Sequence, residues 1–159
     1  MKGGRVVVIG GGPAGLLAAG RAAERGALTT LLEKNSSPGK KLLLSGKGRC
    51  NLTSSEEDTG LFLSKFGRNG RFLYSVFSRF GPAETISFFE SIGVELEEER
   101  GKRIFPAAGG APGVLDAVRR YSAGAGAEIR CENEALDLVV REGRIRGVLT
   151  ENGEIDGDA

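Results

Sequence analysis

The chain has 159 residues, 40% hydrophobic and 27% charged, which indicates a globular domain able to bury a core and argues against a disordered or membrane protein. It has no histidine and two cysteines, which excludes Ser-His-Asp and Cys-His nucleophile systems and predicts neither a metal site nor a disulfide framework. The net charge is +1, but residues 1–53 hold nine basic and two acidic side chains, which indicates an anionic ligand there or, alternatively, a solvated basic face.

The predicted elements begin with a β-branched run at residues 5–9, which indicates a buried parallel strand. A helix should begin at Pro13 and end at Gly26, because proline suits a first helical turn and glycine suits a helix end. A second strand is predicted at residues 29–32, directly before Glu33. These three elements predict a βαβ unit.

Residues 35–53 are rich in Ser, Gly, Lys and Asn around a short apolar run at residues 42–44, which is typical of a long functional loop with one short element inside. Two helices should follow, because apolar side chains recur at helical spacing: Phe72, Leu73, Val76, Phe77 and Phe80, then Ile86, Phe89 and Ile92. All eight phenylalanines lie within residues 62–105. We expect them to form a plain hydrophobic core.

The last third alternates short strands with one helix. A small hairpin is predicted from residues 94–96 and 103–105, a helix at residues 112–121, and a third parallel strand at residues 128–131. An antiparallel meander should follow, with strands at residues 136–141, 145–150 and near Ile155 joined by Glu142-Gly143 and Asn152-Gly153.

Three glycines, Gly10, Gly12 and Gly15, form the pattern G-x-G-x-x-G between the first strand and the first helix. The first permits a tight turn, the second lets the backbone approach a diphosphate, and the third lets the helix pack close to the strand. The helix N-terminus stabilises the anion, while Glu33 can accept hydrogen bonds from a ribose diol and repels a 2′-phosphate. The pattern predicts an α/β, Rossmann-like domain that binds a dinucleotide other than NADP; a structural turn without a ligand is the alternative.

The segment from Ser37 to Thr53 reads S-P-G-K-K-L-L-L-S-G-K-G-R-C-N-L-T. It resembles the signature of the BaiN/YhiN-like family of NAD(P)/FAD-dependent oxidoreductases, P-G-[RK]-K-x-L-x-S-G-[GK]-G-R-C-N-x-T-N. Residues 71–75 and 100–106 agree with that family as well, so the resemblance covers essentially the whole chain. Ser54 departs from it, because the family often has a second asparagine there.

The resemblance implies FAD as the cofactor, with its pyrophosphate on the loop from Gly10 to Gly15 and its ribose at Glu33. The basic loop that includes Ser45 to Thr53 would run beside the flavin half, and the backbone of Ala135 would meet the adenine. The implied cofactor-binding residues are Gly10, Gly12, Pro13, Ala14, Gly15, Glu33, Lys34, Lys40, Lys41, Ser45, Gly46, Gly48, Arg49, Cys50, Asn51, Thr53 and Ala135.

Cys50 is a candidate redox or catalytic thiol, because Lys47 and Arg49 beside it would favour a thiolate. A small packed side chain is the reading that we favour, since most cysteines are simply buried. Lys40, Lys41 and Lys47 likewise have an alternative as exposed solubilising charges. No catalytic residue is therefore assigned from the sequence.

We predict the N-terminal part of a FAD-binding domain: a βαβ unit and flavin loop at residues 1–53, a mainly helical segment at 54–126, and a third strand with the meander at 127–159. The rest of that domain and a substrate domain are expected to be missing, which predicts an inactive, self-associating piece of a cytoplasmic protein. The expected function is hydride transfer between NAD(P)H and a small organic acceptor by way of FAD. The alternatives are a non-catalytic module that binds NAD or ADP-type nucleotides and, third, an RNA-modifying flavoprotein.

A membrane partner is not expected, and the lack of aromatic residues before Phe62 disfavours nucleic acid, because single-strand binding needs stacking platforms.

Overall fold

A computed structural model describes residues 3–159. The chain divides into two compact units, one of residues up to Leu42 together with Leu115–Ala159, the other of Leu43–Val114. In chain order the strands and α-helices are β1 (Arg5–Ile9), α1 (Pro13–Glu24), β2 (Leu28–Leu32), α2 (Lys40–Leu44), β3 (Thr53–Ser54), α3 (Thr59–Ser64), α4 (Gly70–Phe77), α5 (Pro82–Ser91), β4 (Leu96–Glu99), β5 (Arg103–Pro106), α6 (Gly110–Gly124), β6 (Glu128–Arg130), β7 (Ala135–Arg141), β8 (Arg144–Thr150) and β9 (Gly153–Asp156). Two 3-10 helices, Ser45–Gly48 and Gly67–Asn69, complete the set among the described residues.

The first unit contains a parallel sheet in the order β1-β2-β6. Val7 lies opposite Thr30 and Leu31 lies opposite Ile129, so the β-branched and leucine-rich strands pair as the sequence predicts. Helix α1 follows β1 directly and starts at Pro13, and its buried Leu16 faces the core. The predicted α/β, Rossmann-like fold class is confirmed.

Helix α1 packs closely on the C-terminal half of α6 within this unit. A Cβ at Gly20 would lie 2.4 Å from the ring of Tyr121, so only glycine fits that position without a shift. The buried hydroxyl of Ser122 is placed 2.7 Å from the carbonyl of Leu16 and 2.9 Å from that of Val118. These contacts hold helix α1 in place directly after the glycine turn.

Strand β1 is less buried than expected: Val6, Val7 and Val8 are half-buried, and Ile9 is exposed. Within the described residues, its one full-length neighbour is β2. Its other edge meets residues 156–159, where Val7 N–H donates to the Ala159 carbonyl, Asp158 N–H donates to the Arg5 carbonyl, and Arg5 N–H donates to the Asp158 carboxylate. The prediction of a fully buried strand is therefore wrong for this chain.

The predicted meander is present as an antiparallel sheet in the order β7-β8-β9. Glu142 and Gly143 both have positive φ (53° and 71°), as a tight hairpin turn with the twist of the strands requires. At the next turn Gly153 has a φ of 112°, and the amide of Asn152 donates to the hydroxyl of Thr150. Both turns could be predicted from the sequence because their geometry depends on the residues within the turn.

The second unit contains an antiparallel sheet in the order β3-β5-β4 with α3, α4 and α5 beside it in sequence. The β4–β5 pair confirms the predicted hairpin, although its first strand is Leu96–Glu99 and not residues 94–96. Strand β3, which pairs Thr53 with Ile104, lies inside the segment predicted as a loop. Phe89 and Phe105 are buried, but Phe72 is 84% exposed and Phe66 and Phe80 are exposed too. The prediction that all the phenylalanines form a core is thus wrong, because the described residues leave Phe66, Phe72 and Phe80 exposed.

Candidate functional site

The glycine turn between β1 and α1 is open on the side away from the protein. Gly10 has a φ of 97°, and a Cβ at Gly10 or Gly12 would have no heavy atom within 4 Å. A Cβ at Gly15 would instead lie 2.0 Å from the Gly10 carbonyl oxygen, so Gly15 is needed for close packing of α1 on the turn. The turn at Gly10 and the close packing at Gly15 are as their spacing predicts, while the contact of Gly12 with a diphosphate stays a prediction.

Glu33 lies at the end of β2 with its carboxylate turned back to this loop. Its Oε2 accepts a hydrogen bond from Gly11 N–H (2.9 Å), and its Oε1 accepts from the backbone N–H of Asn35 (2.8 Å) and from the Asn35 side-chain amide (2.5 Å). Burial alone would raise the pKa of Glu33, but the hydrogen bonds from Asn35 and Gly11 and the nearby charge of Lys40 outweigh it and lower the pKa below its usual value. The side chain is therefore held as a carboxylate.

Gly11 is a site residue that the sequence analysis missed. A Cβ there would lie 2.8 Å from Pro38 and 3.0 Å from Glu33 Oε2, so any larger residue would displace the carboxylate. The carbonyl of Gly11 also accepts a hydrogen bond from Gly39 N–H (2.8 Å). The sequence did contain a signal for Gly11: residues 10–12 are three consecutive glycines, and the G-x-G pattern requires only the first and the third.

A groove of about 490 Å³ lies along this loop, within the first unit. Its lining contains eight of the residues expected to bind the cofactor: Gly10, Gly12, Ala14, Gly15, Glu33, Lys34, Lys41 and Ala135. It also contains Ile9, Leu32, Asn35, Asn133 and Glu134, which were not predicted. Pro13 and Lys40 were predicted but are not among the lining residues.

The charged side chains at the groove have different partners. Lys34 pairs with Glu134 (3.6 Å), which lies next to Ala135 at the start of β7. Lys40 donates to the Asn35 side-chain oxygen (2.8 Å), outside the lining. Lys41 lines the groove, and no carboxylate of the described residues lies within 4.0 Å of its ammonium group. The groove thus offers a ligand backbone amides, the ionised carboxylate of Glu33, the carboxylate of Glu134 paired with Lys34, and the exposed ammonium group of Lys41.

The predicted residues from Ser45 to Thr53 belong to the second unit. Gly46, Lys47, Gly48 and Cys50 all have positive φ, which makes this a compact left-handed loop. The Nη2 atom of Arg49 donates to both carboxylate oxygens of Glu99 (2.8 and 2.7 Å), and the guanidinium group lies over the Phe105 ring at 4.3 Å. Gly48 and Arg49 line a separate groove of about 230 Å³ with residues from β4, β5 and the start of α6. Ser45, Gly46, Cys50, Asn51 and Thr53 are not among its lining residues.

Cys50 has the surroundings of a packed thiol. It is 2% exposed, and burial raises its pKa, against which a hydrogen bond with Ser45 acts in the opposite direction. A raised pKa disfavours the thiolate that a nucleophile needs.

Among residues 3–159, no group of three or more His, Cys, Asp or Glu side chains could hold a metal ion. None of the helices in that range is long and apolar enough to cross a bilayer.

Comparison with known proteins gives a family match and several relatives. The family model described as HI0933-like protein Rossmann domain matches residues 4–159. A 3-dehydro-bile acid delta(4,6)-reductase of Clostridium scindens is 38% identical over 114 residues, which cover 70% of this chain and 27% of the relative. A ribosomal RNA dihydrouridine synthase of Escherichia coli is 31% identical over 99 residues, 62% of this chain and 24% of the relative, and one of Haemophilus influenzae is 28% identical over 148 residues, 92% and 36%.

Solved structures share the fold. A 3-ketosteroid-delta4-(5alpha)-dehydrogenase from Rhodococcus jostii RHA1 matches with a TM-score of 0.75 at 16% identity, over 96% of this chain and 44% of that one. A flavocytochrome c3 fumarate reductase matches with a TM-score of 0.71 at 21% identity, over 96% of this chain and 31% of that one. At these identities the likeness is one of fold.

Proposed function

Because this chain belongs to the HI0933-like Rossmann domain family of flavoprotein oxidoreductases, we propose that it binds the ADP half of FAD in the groove along the glycine turn. The open glycine turn beside the ionised carboxylate of Glu33 carries this proposal. A diphosphate needs N–H donors without side chains in the way, and a ribose hydroxyl needs an acceptor next to them.

The residues present fit that group. Ala14 and Gly15 lie in the first turn of α1, whose N–H groups have no partner within the helix, and the open space at Gly12 admits a phosphate. Lys41 in the groove lining supplies a positive charge to the diphosphate. Glu33 would take a ribose hydroxyl, and Ala135 and Lys34 would border the adenosine. The assignment of the loop from Ser45 to Thr53 to the flavin half stays a prediction.

The reaction that we propose for the whole protein is hydride transfer from NAD(P)H to an organic acceptor, and FAD supplies that hydride chemistry when bound. The names of the relatives, a delta(4,6)-reductase and dihydrouridine synthases, support reduction of an unsaturated organic acceptor. This chain spans about a quarter to a third of the relatives' lengths, as the shares of 24%, 27% and 36% indicate. Within this chain, the proposed task is to bind the dinucleotide and to orient it.

The test is the flavin content of the purified protein. We expect added FAD to remain through desalting with a flavin absorption band, and Gly12→Ala to lose that band because its Cβ projects into the groove. Tight binding of NAD with no retained flavin would support the alternative of a non-catalytic nucleotide-binding module. Binding of neither nucleotide would remove both proposals.

RNA is a second candidate acceptor, favoured by one segment of the second unit and by the names of two relatives. Residues 59–80 contain no acidic side chain, and Arg68, Arg71, Phe72 and Tyr74 are all exposed. Exposed rings with arginines are the groups on which single-stranded bases stack. In a gel-shift titration with salt, an RNA shift that Arg68→Ala with Arg71→Ala removes would support this candidate, whereas no shift at low salt would eliminate it.

A further inference from the structure

We propose that Asn35 is a positioning residue that occupies one oxygen of the Glu33 carboxylate, so that Glu33 accepts a single ribose hydroxyl through its other oxygen, Oε2. The inference rests on the proposed function of the groove as a nucleotide site. It concerns how many ribose hydroxyl groups Glu33 can accept a hydrogen bond from, which neither the glycine pattern nor the family resemblance specifies.

The number of acceptor positions on Glu33 carries the argument. A carboxylate offers about four lone-pair positions, two on each oxygen. Oε1 already accepts from the backbone N–H and the side-chain amide of Asn35, while Oε2 accepts only from Gly11 N–H. One position therefore remains for a ligand, and it is on Oε2. Glu33 lines the groove although it is only 8% exposed, so the carboxylate has little freedom to turn another edge to the ligand.

Lys40 fixes the Asn35 amide in the orientation that this arrangement needs. Its ammonium group donates to the Asn35 side-chain oxygen at 2.8 Å, which leaves the amide NH₂ group facing Glu33. An amide between a donor and an acceptor has one favourable orientation. Lys40 thus acts on the carboxylate through Asn35, whereas its neighbour Lys41 lines the groove itself.

The two neighbouring lysines therefore have different expected roles. Lys41 should contribute charge to the binding of any phosphate-bearing ligand, with a strong dependence on salt. Lys40 should affect which ribose hydroxyl Glu33 binds, and it should contribute little to binding of the diphosphate. A pair of adjacent lysines with separable effects gives a matched comparison within the same helix.

The experiment is calorimetric titration of the 159-residue chain with ADP, 2′-deoxy-ADP and 3′-deoxy-ADP. We expect one deoxy analogue to bind about tenfold more weakly than ADP and the other to bind within about twofold of it, because a hydrogen bond to a charged acceptor is lost in only one case. In Asn35→Ala a position on Oε1 becomes free, so the difference between the two analogues should fall to less than about threefold.

The lysine variants and a remote asparagine provide the controls. Lys40→Met should reduce the difference between the analogues, while Lys41→Met should weaken ADP and both analogues alike and flatten the salt dependence. Asn152→Ala, in the exposed β8–β9 turn, should change neither quantity. If Asn35→Ala fails to fold, the exposed Lys40→Met variant tests the same network.

Two results would overturn the inference: equal losses for both deoxy analogues in the unmodified chain, or an undiminished difference between them in Asn35→Ala and Lys40→Met. Either result, with ADP still bound, leaves the proposed nucleotide site standing. If the unmodified chain binds neither ADP nor FAD, the proposed function and this inference fall together.

Discussion

The Glu33 carboxylate accepts hydrogen bonds from three N–H donors, and this arrangement favours its ionised form. Its lowered pKa means that the unfolded chain takes up the proton more readily than the folded chain does. The stability that Glu33 contributes is therefore fully present above the ordinary pKa of a glutamate and is lost as the pH falls through the lower folded value.

Glu33→Gln tests this at a single residue. A glutamine must place an NH₂ group against one of the N–H donors, so we expect a loss of about 1–3 kcal/mol in the free energy of unfolding at pH 7. The variant should also lose the part of the pH dependence that Glu33 causes. Urea unfolding of both proteins between pH 7 and 3 measures the two effects, and identical pH profiles would contradict the assignment.

The glycines of the turn give a second prediction at the same scale. Gly12→Ala should keep the fold, since Gly12 has a φ of −71° and open space at its Cβ, yet it should lose nucleotide. Gly15→Ala should lower the free energy of unfolding by about 1–3 kcal/mol through overpacking, because its Cβ would meet the Gly10 carbonyl at 2.0 Å. Thermal unfolding and FAD titration of the pair separate the two roles. Equal thermal stability of the two variants would refute the distinction.

At the scale of elements, the sequence predicted what local chemistry determines. Strand β1, helix α1 and the meander turns follow from β-branched runs, a proline and left-handed glycines, and they lie where expected. Strand β3 was missed because Thr53 and Ser54 become a strand only by pairing with β5, some fifty residues later in the chain. The Asn35–Glu33 contact was missed for a related reason: a side-chain hydrogen bond leaves no periodic pattern.

The packing of α1 on α6 makes the third prediction. Gly20→Ala would place its Cβ 2.4 Å from the Tyr121 ring, so we expect it to destabilise the chain by about 1–3 kcal/mol. Tyr121→Leu should relieve the clash, and the double variant should lose less than the sum of the two single variants. A double-mutant cycle by chemical unfolding measures this coupling; strictly additive effects would show that the two residues do not contact.

At the scale of the whole molecule, the distribution of apolar surface differs from the prediction of a single aromatic core. Phe72 and Val76 lie four residues apart on α4 and are exposed, as is Phe80 just after the helix, whereas Phe89 and Phe105 are buried. Helical periodicity predicted helix α4, but the expected burial of its apolar side chains is wrong for Phe72 and Val76, because periodicity alone does not say what covers a face. Burial depends on neighbours from elsewhere in the chain or from another molecule.

This apolar face of α4 leads to the fourth prediction, that the 159-residue chain self-associates as its concentration rises. Contiguous exposed apolar surface gains about 25 cal/mol per Å² when it is removed from water, whereas single exposed leucines are ordinary. Phe72→Ser should therefore shift the chain towards monomer in sedimentation velocity, and Leu28→Ser, which alters an exposed leucine of β2, should not. Sulfate should strengthen the association, because it favours apolar burial, while sodium chloride would weaken an association driven by charge. A monomer at all concentrations, or an equal effect of both substitutions, would show that the α4 face is not the surface involved.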